Sequence, residues 1–210
     1  MIGFAGSHRT GKTTLAKEFA DRYDCVFLET SVSSVFEELG LDPAVTYDFA
    51  TRLKVQRAIL KHLDRIYGQA EDDVNTVTDR TPLDLLLYTY ADVQNDNLTD
   101  ADAEILAEYT ADCIEVLNRR FNMVMIVQPG IPLTPATGKA SLNVAYIEHL
   151  NMLALGLMSD ERIEARVAYI PRKMTDLDHR VEATYNTLTM FIEHSEQLVL
   201  NELESGNRIH

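Results

Sequence analysis

Met1-Ile-Gly-Phe-Ala-Gly-Ser-His-Arg-Thr-Gly-Lys-Thr-Thr-Leu-Ala-Lys opens the chain, and its reading decides the fold. From Gly6 to Thr13 it runs Gly-x-x-x-x-Gly-Lys-Thr, the phosphate-binding loop pattern without substitution. Gly6 and Gly11 allow the tight turn that points backbone N–H groups at phosphate oxygens. Lys12 offers a point charge for β- and γ-phosphates, and the Thr13 hydroxyl suits Mg²⁺. Ser7, His8, Arg9, Thr10 and Thr14 complete the cradle. Both flanks agree with this reading. Ile2-Gly-Phe-Ala is a short apolar run of buried-strand type, while Leu15, Ala16, Phe19 and Ala20 recur at helical spacing. The loop therefore lies between a strand and a helix N-terminus, where anions bind.

Working outward, 210 residues suit a single domain spanning 1–210, with an ordinary 46% hydrophobic and 25% charged composition. No apolar run approaches the roughly 18 residues of a membrane span. Met1 leads straight into the first strand, which argues against a signal peptide. Cys25 and Cys113 stand far apart without metal spacing, consistent with core thiols and a reducing, cytoplasmic setting. The net charge of −14 counts against nucleic acid as a partner and leaves a mononucleotide possible.

Along the chain, Cys25-Val-Phe-Leu reads as a second strand closed by Glu29. Ser31 to Leu39 reads as a short helix, and Thr46 to Ala70 as a long amphipathic one. Val74 to Asp79 predicts a third strand, followed by a helix that Thr81-Pro82 opens. Thr99 caps a helix from Asp100 to Phe121, and Met123 to Val127 is the fourth strand. Residues 131–142, Pro- and Gly-containing, form a lid-like loop. Asn143 to Glu164 returns to helix, Arg166 to Ile170 is the fifth strand, and Asp176 to Leu203 is the closing helix. Five largely unalternating strands separated by helices predict an α/β fold, a five-stranded parallel sheet covered on both faces. Ligands in such sheets bind beyond the carboxyl ends of the strands.

That edge gathers the remaining candidates. Asp79, ending the third strand, is placed to hold Mg²⁺, or to cap the next helix, or both. Arg80 would clamp a second phosphate bidentately, unless it serves a surface ion pair. Glu29 is placed to take a proton from an attacking hydroxyl, or is an ordinary strand-end carboxylate. Phe49, Arg52 and Gln56 share one helix face and combine stacking, charge and an amide, as an acceptor site needs; a solvated face is the alternative. Lys139, in the lid-like loop, could neutralise transferring phosphate or simply be solvated. Arg172, past the fifth strand, could border an adenine ring.

The Gly6–Thr13 loop, Glu29, the run Thr78-Asp79-Arg80-Thr81-Pro82-Leu83-Asp84 and the lid-like loop together resemble the P-loop nucleoside and nucleotide kinases. Thymidylate and deoxynucleoside monophosphate kinases, including phage-encoded ones, are similar, as are nicotinamide riboside kinases. The resemblance implies phosphoryl transfer from ATP and Mg²⁺ to a small-molecule acceptor, a (deoxy)nucleoside monophosphate or a nucleoside, in a monomer or homodimer. In that family the Asp-Arg arginine contacts the acceptor and lid arginines steady the transferring group. Here the lid-like loop carries Lys139 and no arginine, and a lysine binds as a point charge rather than a fork. A nucleotide-dependent switch and a polynucleotide kinase are readings from other classes. The absence of a partner module weighs against the first and the net charge against the second.

Overall fold

The computed structural model describes residues 1–42, 45–70, 75–93, 97–133 and 142–206. Its elements follow the expected alternation: β1 (Ile2–Ala5), α1 (Lys12–Arg22), β2 (Val26–Phe27), α2 (Ser33–Leu39), α3 (Phe49–Tyr67) and β3 (Thr76–Thr78). Then come α4 (Pro82–Val93), α5 (Asp100–Arg120), β4 (Met123–Val127), α6 (Val144–Leu157), β5 (Arg166–Ile170) and α7 (Leu177–Gly206). The strands form one sheet in the order β2-β3-β1-β4-β5, and every neighbouring pair is parallel.

The unalternating strands are the central ones. β1, β3 and β4 are buried along their whole length, whereas the edges β2 and β5 are mostly half-exposed. Side chains on a strand alternate between faces, so β4 feeds two cores. Met123, Met125 and Val127 join Phe4, Leu15, Phe19 and Val181 beneath α1 and α7. Val124 and Ile126 join Leu63, Leu86, Tyr109, Leu117 and Leu150 beneath α3, α4, α5 and α6. Helices on both faces leave the carboxyl edge open, and the loops after β1 and β3 meet there.

Several boundaries differ from expectation for local reasons. α3 starts at Phe49 rather than Thr46 because Asp48 caps it, accepting from the Thr51 N–H at 2.8 Å. β2 ends at Phe27, so Glu29 stands two residues beyond the strand. α6 stops at Leu157 rather than Glu164, because Asp160 turns the chain by accepting from the Arg162 N–H at 3.0 Å. Thr99 does cap α5, in a reciprocal capping box with Asp102. Of the lid-like loop, residues 134–141 lie outside the described residues, Lys139 among them. Among the described residues no helix is long and apolar enough to cross a membrane.

Candidate active site

The loop between β1 and α1 is shaped by backbone that only glycine accepts easily. Gly6 has φ +131°, and a Cβ there would lie 2.8 Å from the Val127 carbonyl oxygen of β4. Gly11 has φ +86° and caps α1, leaving the helix N–H groups facing the cleft. Inside the loop the Thr10 hydroxyl donates to the Ser7 carbonyl at 3.0 Å. Lys12 Nζ donates to the carbonyls of Gly6 and Ser7, at 2.6 and 2.9 Å. The ammonium is thus held inside the arc of the loop, and burial pulls its pKa below the usual lysine value, against the opposing pull of Asp84.

Two residues that sequence reasoning did not select brace this loop. Arg180, on the buried face of α7, donates from Nη1 to the Thr10 carbonyl at 2.9 Å and from Nε to the Met174 carbonyl at 2.6 Å. Asp84, in the first turn of α4, accepts the Gly6 N–H at 3.1 Å and lies 3.7 Å from Lys12 Nζ. Burial raises the Asp84 pKa, and the Lys12 charge opposes that rise. The signals for both were weak but present. Arg180 occupies an apolar-stripe position beside Val181, and Asp84 closes the Asp79–Asp84 run.

Beside the loop, the carboxyl end of β3 presents Asp79 and Arg80. Asp79 accepts a hydrogen bond from the Thr13 hydroxyl through Oδ2 and one from Thr30 through Oδ1, the latter at 3.2 Å. Two hard oxygen donors at one point, next to a phosphate loop, fit Mg²⁺, which takes few protein ligands and shares the rest with phosphate and water. Among the described residues no group of three or more His, Cys, Asp or Glu could hold a metal ion by itself. The backbone of Arg80 is fixed from below, since buried Tyr67 donates its hydroxyl to the Arg80 carbonyl at 2.9 Å.

A cleft of about 670 Å³ lies over these groups, lined by loop residues His8 to Thr14, by Asp79, Arg80, Asp84, Leu85 and Tyr88, and by Ile131 to Leu133. Gly6 and Ser7, whose carbonyls hold Lys12, do not line it. A second cavity of about 510 Å³ is lined by Phe49, Arg52 and Gln56 together with Phe36, Tyr47, Thr89 and Asp92, among others. Gln56 Oε1 is buried there without a protein hydrogen-bond partner. Arg52 donates to the Tyr47 carbonyl at 3.1 Å.

Polar side chains join the two cavities. His8 Nδ1 and the Tyr88 hydroxyl of α4 are 3.3 Å apart, and the His8 ring lies 6.0 Å from that of Tyr146. Tyr146 in turn donates to Asp92 Oδ1 at 3.3 Å. Burial pushes the Tyr88 pKa above the usual phenol value, so the hydroxyl is neutral.

Two expected residues are not gathered here. Glu29 is exposed and lines neither cavity. Arg172 is exposed and forks onto Glu148 of α6, with one contact of 2.5 Å, and it does not line the cleft.

A five-stranded parallel sheet whose first strand enters this loop is a fold shared with solved nucleoside and nucleotide kinases. The chain belongs to the AAA domain family, whose pattern matches residues 1–133. Comparison with curated protein sequences finds no match. Among solved structures, deoxyadenosine kinase from M. mycoides with bound dATP superposes with a TM-score of 0.65 at 18% identity, over 90% of this chain and 98% of that one. Thymidylate kinase from Candida albicans gives 0.63 at 12% identity, over 92% of each chain. The NadR protein in complex with NR gives 0.60 at 16% identity, over 88% of this chain and 48% of that one.

Proposed function

We propose that the protein transfers the terminal phosphoryl group of ATP, in the presence of Mg²⁺, to a small (deoxy)nucleoside monophosphate. The observation that carries this reading is the position of Arg80 in the same cleft as the phosphate loop, next to a second cavity lined by Phe49, Arg52 and Gln56. Arg80 offers a fork for a second phosphate, and the second cavity, lined by an aromatic ring and an amide, offers room for a base. In this reading the loop N–H groups and Lys12 hold the β- and γ-phosphates. Arg80 holds the acceptor's phosphate, and Arg9 faces the transferring group from the loop. Thr13 and Asp79 would hold Mg²⁺, which supplies neutralisation of phosphate charge when bound. Phe49 stacks on the base, and the unpartnered Gln56 oxygen accepts from its edge. Lys139, which lies outside the described residues, would lend a charge to the transferring phosphate. Catalysis is then mainly positioning and charge neutralisation, because an ionised phosphate acceptor needs no base. The structures of deoxyadenosine kinase and thymidylate kinase, which share the fold, support the substrate class.

A nucleoside acceptor, nicotinamide riboside included, is the second reading. It is favoured by the lining of the second cavity, where Arg52 is the one cation among the described residues and Asp92 an opposing acid. That reading makes a base necessary, and Glu29 would then have to approach the cleft. The test is a panel of nucleosides and monophosphates with ATP and Mg²⁺, following ADP release with the native protein and with Glu29→Gln. Acceptor-stimulated ADP from monophosphates, little changed by Glu29→Gln, is expected. Near-total loss on Glu29→Gln with a nucleoside would establish the second reading. No stimulation by any acceptor would sink both.

A further inference from the structure

The carboxylate of Asp84 touches both halves of the site. Oδ1 accepts the Gly6 N–H at 3.1 Å and stands 3.7 Å from Lys12 Nζ, while Oδ2 accepts the Thr81 N–H at 2.8 Å and the Thr81 hydroxyl at 3.0 Å. An acid in the first turn of a helix ordinarily needs no further explanation, since it satisfies N–H groups at the helix start. That accounts for the two Thr81 bonds. It does not account for a carboxylate only 4% exposed that also reaches the first glycine of the loop and faces its lysine.

Lys12 has three N–H donors. Two are taken by the Gly6 and Ser7 carbonyls, and Asp84 sits beyond hydrogen-bond reach but within ion-pair range. Its other oxygen, anchored on Thr81, holds it at that distance. The third donor of Lys12 is thereby left for phosphate while its charge is balanced by a fixed neighbour. Thr81 follows Arg80 directly, so the same carboxylate also sets the start of α4, and with it Asp79 and Arg80, against the loop.

We propose that Asp84 is a positioning residue, a fixed counter-charge that holds Lys12 ready for phosphate and ties the phosphate loop to the Asp79–Arg80 segment. The role in transfer rests on the kinase reading of the site; the charge pairing with Lys12 does not.

The test uses the full chain as a double-mutant cycle of Asp84→Asn and Lys12→Met, read by thermal unfolding and by steady-state kinetics. Removing one member of a buried pair strands the other, so Lys12→Met is expected to lower Tm by about 5 °C in the native background and by under about 1 °C beside Asp84→Asn. Equal losses in both backgrounds would overturn the pairing. In kinetics, Asp84→Asn is expected to lower kcat about 100-fold per folded molecule, with the KM for ATP within about threefold. An unchanged kcat per folded molecule would show a merely structural carboxylate and overturn the positioning role. If Asp84→Asn does not fold, Asp84→Glu carries the test. It keeps the charge, so Lys12→Met must still cost stability, while the lengthened tie must lower kcat; failure of either result overturns the proposal. Thermal unfolding needs no acceptor, so a protein inactive on every acceptor would refute the kinase reading and leave the pairing measurable.

Discussion

Replacing Arg180 with methionine tests how far the phosphate loop depends on α7. The side chain is 2% exposed and bonded to two carbonyls, Thr10 in the loop and Met174 after β5. Methionine fills most of the aliphatic volume and leaves both carbonyls without their donor, at about 1–3 kcal/mol each. Part of that loss is offset, because a buried guanidinium is itself costly. Burial lowers the Arg180 pKa, and Nη2 has no protein hydrogen-bond partner. A net loss of about 2–4 kcal/mol follows, which for a chain of this size is a fall in Tm of about 5–15 °C. Thr10 would lose its tether across the back of the loop, so affinity for a fluorescent ATP analogue should fall about tenfold, or 1.4 kcal/mol. Lysine at the same position has no donor where the Arg180 Nε–H meets the Met174 carbonyl, and should recover about half the stability. Thermal unfolding by circular dichroism and fluorescence titration read the two effects separately. If Arg180→Met kept Tm within about 1 °C and affinity within about twofold, the strut would be incidental and the loop self-supporting.

Gly6→Ala places a methyl group 2.8 Å from the Val127 carbonyl oxygen at φ +131°, so it should cost about 2–4 kcal/mol and abolish detectable nucleotide binding. Denaturant unfolding checks this, and a stable, binding-competent variant would show that β4 can yield there. Asp160 gives a pH signature. The Arg162 guanidinium lowers its pKa to about 2, so its contribution is present above the ordinary carboxylate value near 3.8 and lost as pH falls toward 2. Arg162 is exposed, and screening keeps that contribution below about 1 kcal/mol. The Tm difference between the native protein and Asp160→Asn should therefore close as pH falls from about 4 to about 2, and a pH-independent difference would remove the ion pair as its cause.

Much of the fold was legible because the central strands and the loop obey local rules. β1 and β4 read as unalternating apolar runs since both faces are covered, and α5 announces its start through Thr99 and Asp102. The misplaced boundaries lie where a side chain bonded its own backbone in competition with the helix. Asp48 and Asp160 are the examples, and no hydrophobic period records them. The same division runs through the site. His8 to Thr13 of the loop, Asp79 and Arg80 share one cleft, which Gly6 and Ser7 do not line, and Phe49, Arg52 and Gln56 share one cavity as a helix face must. Glu29 does not close the strand, because the apolar run of four, Cys25 to Leu28, overstates a two-residue edge strand.

Asp84 and Arg180 were harder to read because they act on backbone atoms of a loop far away in sequence, 78 residues from Gly6 and 170 from Thr10. A motif names the loop's own residues; it is silent on those of other elements that brace it. Composition points the same way once the net charge of −14 is set against the cleft, where Arg9, Lys12 and Arg80 stand among the lining residues with Asp79 and Asp84. Exposed acids more than about 8 Å away are largely screened at physiological salt, so the overall charge says little about the field at a bound triphosphate. The buried charges are screened least. Lys12 can keep its charge at the foot of a cleft in an acidic protein because Asp84 balances it from within, and the loop can keep its shape because Arg180 spans its back. On the proposed reading, cradling phosphate is a property of β1, α4 and α7 together, and the Asp84 and Arg180 variants test whether the Gly-x-x-x-x-Gly-Lys-Thr segment suffices alone.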